Sequence, residues 1–260
     1  LYNTPLKYLK EIMDSLLGQS YENLEVCLAD GSTEEGPGKF IKKRYGRDPR
    51  VRYQKLKKNM GISENTNAAI DMASGEYIML SDHDDVVTRD ALFEIVKAIN
   101  KNRGADIIYT DEDKVTMDGK DYFDPSFKPD YNIDFLRSSN YICHIFTVKR
   151  SLLEEAGKFR QEYDGAQDFD LILRCCEKAN KIIHIPKILY HWRSHPNSTA
   201  GKPESKMYAF EAGRKALEAH YARLGIKARV ELTPLFGRYR TIYEVTGHPK
   251  VSIIIPNKDH

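Results

Sequence analysis

The sequence has few cysteines, and they follow no pattern that would bind a metal or form a disulfide framework. The four are Cys27, Cys143, Cys175 and Cys176. Cys27 lies in an apolar run and the pair 175–176 in a predicted helix. We therefore interpret all four as free thiols in a reducing compartment, which excludes a disulfide-rich secreted domain.

Long apolar runs and basic stripes are also missing. No run approaches the roughly 20 apolar residues needed to cross a bilayer. The 40 Lys and Arg residues balance 38 Asp and Glu residues, and no basic stripe alternates with aromatic residues, so we expect no nucleic-acid partner. We expect a cytoplasmic domain. Contact with the inner face of a membrane would come from further parts of a longer parent chain.

What the sequence does have is alternating helices and strands in its first half. The apolar periodicity predicts helices over 6–17, 37–45 and 62–72, and strands over 24–29, 51–55, 77–80 and 106–109. A helix also follows Thr88, which is a good N-cap residue. This alternation predicts an α/β fold with a mostly parallel sheet flanked by helices.

Acidic residues follow three of these predicted strands. They are Asp30, the cluster 82–85 and the cluster 111–113. Because ligands of such sheets bind beyond the carboxyl ends of the strands, the three acidic groups predict one rim of one cleft.

The strand Tyr77–Leu80 runs directly into Asp82, Asp84 and Asp85. Closely spaced carboxylates repel one another unless a cation lies between them. Asp82 and Asp84 are two residues apart, so in an extended chain they point to the same side. This spacing suits one hard divalent cation that a phosphate also holds. A purely structural acidic turn is the alternative.

Several short motifs occur in a characteristic order. They are Tyr2-Asn3, Asp30-Gly31-Ser32-Thr33, Asn59-Met60-Gly61, Asn67, Asp82-His83-Asp84-Asp85, the segment 165–171 (GAQDFDL) and Tyr190-His191-Trp192-Arg193. Through them, from Tyr2 to about Ser198, the chain resembles the family 2 glycosyltransferases with the GT-A fold. The resemblance implies a nucleotide-binding sheet flanked by helices, with a smaller acceptor-side region.

The resemblance implies a nucleoside site at the first motifs. Tyr2 would stack on the base, Asn3 would shape the turn, and Asp30 would accept the imide N–H of uracil or thymine. An Asx-turn or helix cap is the structural alternative for Asp30.

The resemblance places three further residues near the nucleoside. They are Asn59, Gly61 and Asn67. For Asn59 and Gly61 a role in the loop and the helix cap is an equal alternative.

The resemblance also implies a Mn²⁺ or Mg²⁺ site. Asp84 would bind the cation directly, and Asp82 would contact the ribose or a metal-bound water. His191 would complete the shell, with His195 as the second choice, although a lone histidine is often structural. Arg193 would pair with the diphosphate of the donor.

Asp168 stands at the start of a predicted helix, and the resemblance implies that it is the general base. A helix N-terminal acid is the alternative. The implied reaction is inverting transfer from a UDP- or dTDP-linked sugar to a hydroxyl of a cell-surface polysaccharide or glycolipid. An inactive nucleotide-sugar or acceptor-binding module of a tandem polymerase and a sugar-phosphate nucleotidyltransferase are the rival hypotheses.

The resemblance divides the chain into three parts. Residues 1–200 would be the GT-A domain without its first strand, 201–249 a helix and strands that extend it, and 250–260 the start of a second glycosyltransferase copy. The run Val251–Ile255 is strongly β-type. It could fill the missing position in cis, or in trans in a strand-swapped dimer, and a disordered tail is the alternative.

Overall fold

A computed structural model describes residues 1–194 and 207–258. The helices are α1 Leu6–Leu17, α2 Gly36–Tyr45, α3 Ile62–Met72, α4 Ala91–Lys101, α5 Ile133–Leu136, α6 Arg150–Ala156, α7 Gln167–Lys178 and α8 Met207–Arg223, with a 3₁₀ turn at Gln161–Tyr163. The strands are β1 Val26–Asp30, β2 Val51–Lys55, β3 Tyr77–Leu80, β4 Val86–Val87, β5 Ile107–Val115, β6 Tyr122–Ser126, β7 Phe146–Lys149, β8 Ile182–Arg193, β9 Ala228–Leu232 and β10 Tyr239–Tyr243.

The main sheet has six strands in the order β3-β7-β5-β8-β4, with β6 paired to β5. The α/β class is confirmed, but the strand directions differ from the expected mostly parallel arrangement. Among the described residues, β5 and β8 are the only parallel neighbours in this sheet. Strand β3 runs in the same direction as both, but β7 inserts between β3 and β5 and runs antiparallel to each. Strands β1 and β2 form a separate parallel pair.

The main sheet is covered on both faces. Successive side chains of a strand point to opposite faces, and β5 shows this directly. Ile107 and Tyr109 are fully buried in one core cluster together with residues of α7 and α8. Ile108 is fully buried in the second cluster with residues of α1 and α4. A strand buried on both sides in this way is a rigid support for the residues that follow it.

The second half is less regular than the first. Strand β7 is only four residues long, whereas β8 extends from Ile182 to Arg193 and α8 is described from Met207 onward. Residues 251–255 form no strand and are 77–88% exposed where they are Val or Ile, so the structure does not show the pairing in cis.

None of the helices within the described ranges combines the length and apolar character needed to span a bilayer.

One buried anion connects α7 to the segment before it. Asp170 is fully buried, and it accepts hydrogen bonds from Nε of Arg160 at 3.1 Å and Nε of Arg174 at 3.0 Å. Arg174 also donates to the carbonyl oxygens of Gly157 and Lys158, both at 2.7 Å. The carboxylate therefore satisfies two guanidinium groups that fix the turn in front of α7.

We expect Asp170→Ala to destabilise the domain by about 3–5 kcal/mol, because it leaves the buried guanidinium of Arg174 without its counter-charge. Urea unfolding followed by circular dichroism measures this. The control is Glu154→Ala, which removes an exposed ion pair with Arg150 and should cost about 0–1 kcal/mol. Equal losses in the two variants would contradict the assignment.

Candidate active site

The acidic loop between β3 and β4 is held by the buried carboxylate of Asp85. Asp85 Oδ2 accepts a 2.6 Å hydrogen bond from the Tyr190 hydroxyl, and Oδ1 accepts one of 2.7 Å from the backbone N–H of Arg193. Burial raises the pKa of Asp85, and the negative charge of Asp82 raises it further. Asp82 itself is exposed, so the loop presents one acid outward and anchors another inward.

His144 lies against this loop. Ligand atoms of Asp82, Asp85 and His144 all lie within 4.8 Å of one another, close enough to share one cation. His144 Nε2 is 3.8 Å from Asp82 Oδ2, and its ring stacks on Tyr190 with centroids 4.8 Å apart. We did not expect His144 from the sequence, because a single histidine in an apolar segment carries no motif.

The cluster has a donor set that suits a divalent cation. Carboxylate oxygens suit Mg²⁺ or Mn²⁺, and an imidazole adds a nitrogen ligand. Burial by itself would lower the pKa of His144, but Cys143 and the carboxylates of Asp82 and Glu112 raise it well above its usual range. Cation binding to the imidazole would therefore displace a proton.

His191, the first choice from the sequence, lies on β8 opposite Val86 of β4. Its Nδ1 is 2.5 Å from Asp113 Oδ1, and its ring meets Tyr122 edge to face at 4.5 Å. Within the described part of the chain it is not a member of the cluster around Asp82. His195, the second choice, lies outside the described residues.

Arg193 is almost completely buried. Its guanidinium donates to Glu11 Oε2 at 2.6 Å and to the carbonyl oxygen of Asp84 at 2.6 Å, and it lies over the ring of Tyr8 at 4.7 Å. In this structure Arg193 therefore braces the acidic loop from behind, instead of offering the open guanidinium that a diphosphate would need.

Asp168 lies in the first turn of α7, beside the segment that carries His144. Asn140 Nδ2 donates a 2.8 Å hydrogen bond to Asp168 Oδ2, and Cys143 Sγ lies 3.8 Å from the same oxygen. Desolvation raises the pKa of Asp168, and the nearby charge of His144 lowers it in part. A carboxylate with a raised pKa is a better proton acceptor than an ordinary aspartate.

Asp30 ends β1 and is fully buried. Its Oδ1 accepts a hydrogen bond of 2.9 Å from the Ser32 N–H, and its Oδ2 accepts one of 2.6 Å from the Tyr53 hydroxyl. Lys55 Nζ lies 3.5 Å from Oδ2. Burial alone would raise its pKa, but these hydrogen bonds and the lysine lower it. The Ser32 bond is the Asx-turn that the sequence left open as an alternative.

The loop after Asp30 is fixed by the N-terminal segment. Asn3 has a positive φ of 47°, and its Oδ1 accepts hydrogen bonds from the backbone N–H groups of Thr33 at 3.0 Å and Glu34 at 3.2 Å. Tyr2 beside it is 48% exposed, so its ring has an accessible surface.

The Asn59 loop packs directly on the loop after Asp30. Asn59 Oδ1 accepts hydrogen bonds from the backbone N–H of Gly61 at 3.1 Å and from Asn65 Nδ2 at 2.7 Å. A Cβ on Gly31 would lie 2.8 Å from Asn65 Nδ2 and 3.2 Å from Asn59 Cα, so the close approach requires glycine there.

Gly61 is the N-cap residue of α3 and has a φ of +93°, a conformation that other residues rarely adopt. Asn67, further along α3, exchanges two 3.0 Å hydrogen bonds with the backbone N–H and C=O of Phe159. The amide of Asn67 is thus occupied in holding another loop.

The acidic cluster 111–113 was expected to follow a strand ending at residue 109. In the structure it lies inside β5, which continues to Val115. Asp111 is 2% exposed. Its Oδ1 accepts a hydrogen bond of 2.9 Å from the backbone N–H of Lys128 and lies at hydrogen-bond distance, 2.8 Å, from His184 Nε2. Two of the three expected acidic groups therefore remain at strand ends, and the third supports the sheet.

The mixed sheet flanked by helices, with an acidic loop after β3 and a helix-borne acid nearby, is a glycosyltransferase fold of the GT-A type. S. aureus TarS, solved in complex with UDP-GlcNAc, matches with a TM-score of 0.62 at 18% identity, over 83% of this chain and 69% of that one. A mannosyltransferase from Pyrobaculum calidifontis, solved with GDP-Man and Mn²⁺, matches with a TM-score of 0.61 at 18% identity, over 86% and 61%.

The family model for glycosyl transferase family 2 matches residues 1–157. The chain therefore belongs to glycosyl transferase family 2, and the resemblance seen in its motifs is confirmed.

Two curated relatives cover almost the whole chain. It is 44% identical to the uncharacterized protein y4gI of Sinorhizobium fredii, over 100% of this chain and 29% of that protein. It is 34% identical to the O-antigen biosynthesis protein RfbC of Myxococcus xanthus, over 97% of this chain and 20% of that protein. The chain thus spans less than a third of the length of either relative.

The two histidines give a direct test of where a cation binds. We expect His144→Gln to weaken Mn²⁺ binding by about tenfold or more, because a ligand of the cluster is lost, and we expect His191→Gln to change it less. Electron paramagnetic resonance of free Mn²⁺ measures the affinity. The opposite ranking would restore His191 as the ligand.

Proposed function

We propose that this domain is an inverting glycosyltransferase that uses a UDP- or dTDP-linked sugar. The observation that carries the proposal is the position of Asp168 beside the cluster of Asp82, Asp85 and His144. Asn140 bonds Asp168 at 2.8 Å and lies four residues before His144, so one segment connects a proton acceptor with a group that can hold a cation.

Asp168 would act as the general base. It would take the proton of the acceptor hydroxyl as that oxygen attacks the anomeric carbon from the side opposite the diphosphate. Asn140 would hold the carboxylate in one orientation by donating to Oδ2 at 2.8 Å. The raised pKa of Asp168 favours this role.

The acidic loop would handle the leaving group. Asp82, Asp85 and His144 would hold the cation, and Asp84 lies on the same loop as a further carboxylate. A bound divalent cation neutralises the diphosphate charge that develops as the sugar leaves. Asp30, with Tyr2 and the Asn59 loop, would form the base and ribose end of the donor site.

The comparisons support a nucleotide-sugar donor and a cell-surface acceptor. TarS was solved with UDP-GlcNAc, and the Pyrobaculum enzyme with GDP-Man and Mn²⁺. RfbC is named for O-antigen biosynthesis. We therefore propose Mn²⁺ or Mg²⁺ as the cofactor, and a growing polysaccharide or glycolipid as the acceptor.

Substitution of the base should separate binding from chemistry. We expect Asp168→Asn to bind UDP with Mn²⁺ as the unchanged protein does, since Asp168 would contact the acceptor and not the donor nucleotide, and to lose at least about 10²-fold in sugar transfer. Calorimetry measures the binding, and release of UDP from the sugar nucleotide measures transfer.

The control is Asp82→Ala, which removes a proposed cation ligand and should weaken the Mn²⁺-dependent binding of UDP. UDP binding that needs no cation would contradict the proposed cation site. Unimpaired transfer by Asp168→Asn would remove this residue as the base. Metal-dependent UDP binding without any transfer would favour the rival hypothesis of an inactive binding module.

We also propose a partner for the apolar run Val251–Ile255, as an added strand along β1 of a second copy. Among the described residues β1 pairs with β2 on one side, and on the other only Leu1 bonds it, from Leu1 N to Ala29 O at 2.6 Å and from Gly31 N to Leu1 O at 3.0 Å. The rest of that edge can accept a strand.

Removal of residues 250–260 should convert a dimer into a monomer. Light scattering coupled to gel filtration measures the mass at several concentrations. The matched control exchanges Ile253 and Ile254 for Ser while keeping the length. A full-length chain that is monomeric at high concentration would overturn this pairing.

A further inference from the structure

A cleft of about 480 Å³ lies beside the candidate base. The residues that matter for its chemistry are Glu112, Phe127, Phe135, Asn140, Tyr141 and Arg238. Its volume falls within the roughly 300–1,000 Å³ of small-molecule sites in proteins. Apart from Glu112, which belongs to the acidic cluster 111–113, these residues carry no motif in the sequence.

The cleft is connected to Asp168 through one side chain. Asn140 lines the cleft and donates its amide N–H to Asp168 Oδ2 at 2.8 Å. A molecule in the cleft would therefore end one hydrogen bond away from the carboxylate that we propose as the base. This is the position of an acceptor and not of the donor nucleotide, whose proposed contacts lie at Asp30 and the acidic loop.

The aromatic residues give the cleft an apolar surface of the kind that sugar rings cover. Phe127 is 73% exposed, an unusual exposure for so large an apolar side chain. Phe135 is half-buried and stacks on Tyr141, with ring centroids 4.7 Å apart and an angle of 15° between the ring planes. The Tyr141 hydroxyl accepts a hydrogen bond of 3.0 Å from the backbone N–H of Asn132. Tyr141 thus fixes Phe135, and Phe127 stands at the rim.

Among the described residues, the guanidinium of Arg238 is the one charged group in the lining of the cleft that is not paired with another lining residue. Lys128 also lines it, but its Nζ lies 3.0 Å from Glu112 Oε2 and 2.8 Å from the Ile142 carbonyl oxygen, so that pair is neutral. Arg238 is exposed and lies 5.8 Å from the Phe135 ring. Planar guanidinium groups of this kind bind carboxylates and phosphates through paired hydrogen bonds.

We propose that this cleft is the acceptor subsite and that it takes a saccharide carrying an anionic group, a uronate carboxylate or a phosphate. Phe127 covers a sugar ring and Arg238 pairs with the anion. This inference rests on the proposed function, because it is Asp168 as base that makes the cleft the acceptor side. It also gives the C-terminal hairpin β9–β10 a role, since Arg238 comes from its turn.

The test compares the binding of three disaccharides of one backbone: neutral, with a uronic acid, and with a phosphate. Ligand-observed NMR titration measures each affinity, with Mn²⁺ and UDP present. We expect both anionic forms to bind about tenfold more tightly than the neutral form. The anion that gains more identifies the natural class of acceptor.

The variants are Arg238→Gln and Phe127→Ala. Arg238→Gln should abolish the preference for the anionic forms and leave the neutral affinity unchanged, while Phe127→Ala should weaken all three several-fold. Arg240→Gln and Phe93→Ala are the matched controls, because both residues are exposed and neither lines the cleft. Equal affinities for the three disaccharides, or an equal loss with Arg240→Gln, would overturn the inference.

UDP binding is measured in the same samples. Retained Mn²⁺-dependent UDP binding, without a preference for the anionic saccharides, overturns the acceptor subsite alone. Absent UDP binding overturns the proposed function, on which the subsite depends.

Discussion

The site depends on one buried hydroxyl. The Tyr190 side chain is fully buried; it donates to Asp85 Oδ2 at 2.6 Å and accepts from the backbone N–H of Asp82 at 3.1 Å. Together with the bond from Arg193 N to Asp85 Oδ1, it ties the acidic loop to the long strand β8. An unpaired acid at that depth would be costly, so this network is what keeps three carboxylates at the end of β3.

The same network explains why the acids of this loop differ in exposure. Asp85 is anchored, Asp82 is presented to solvent, and His144 stacks on the ring of Tyr190. The guanidinium of Arg193 holds the same loop from behind, through its hydrogen bond to the Asp84 carbonyl oxygen. The segment 140–144 then links this cluster to Asp168 through Asn140, so one segment supports both the candidate cation site and the proposed base.

Much of this could be predicted from the sequence. The elements of the first half followed the apolar periodicity because their buried positions recur at fixed spacing, and the motif order indicated the family. Strand direction could not be predicted, because nothing in the four residues of β7 says between which strands they insert. His144, Arg238 and Phe127 were missed for a related reason: each stands alone, without a motif around it.

The sequence by itself determined the family, the acidic loop and the candidate base, since these are local patterns of residue type and spacing. Only the tertiary structure decided which side chains meet. It brought His144 to Asp82, occupied His191 with Asp113 and Arg193 with Glu11, and placed the turn at Arg238 beside Phe135. Such pairings join residues from 62 to 182 positions apart, and they follow from packing and burial, which local sequence does not encode.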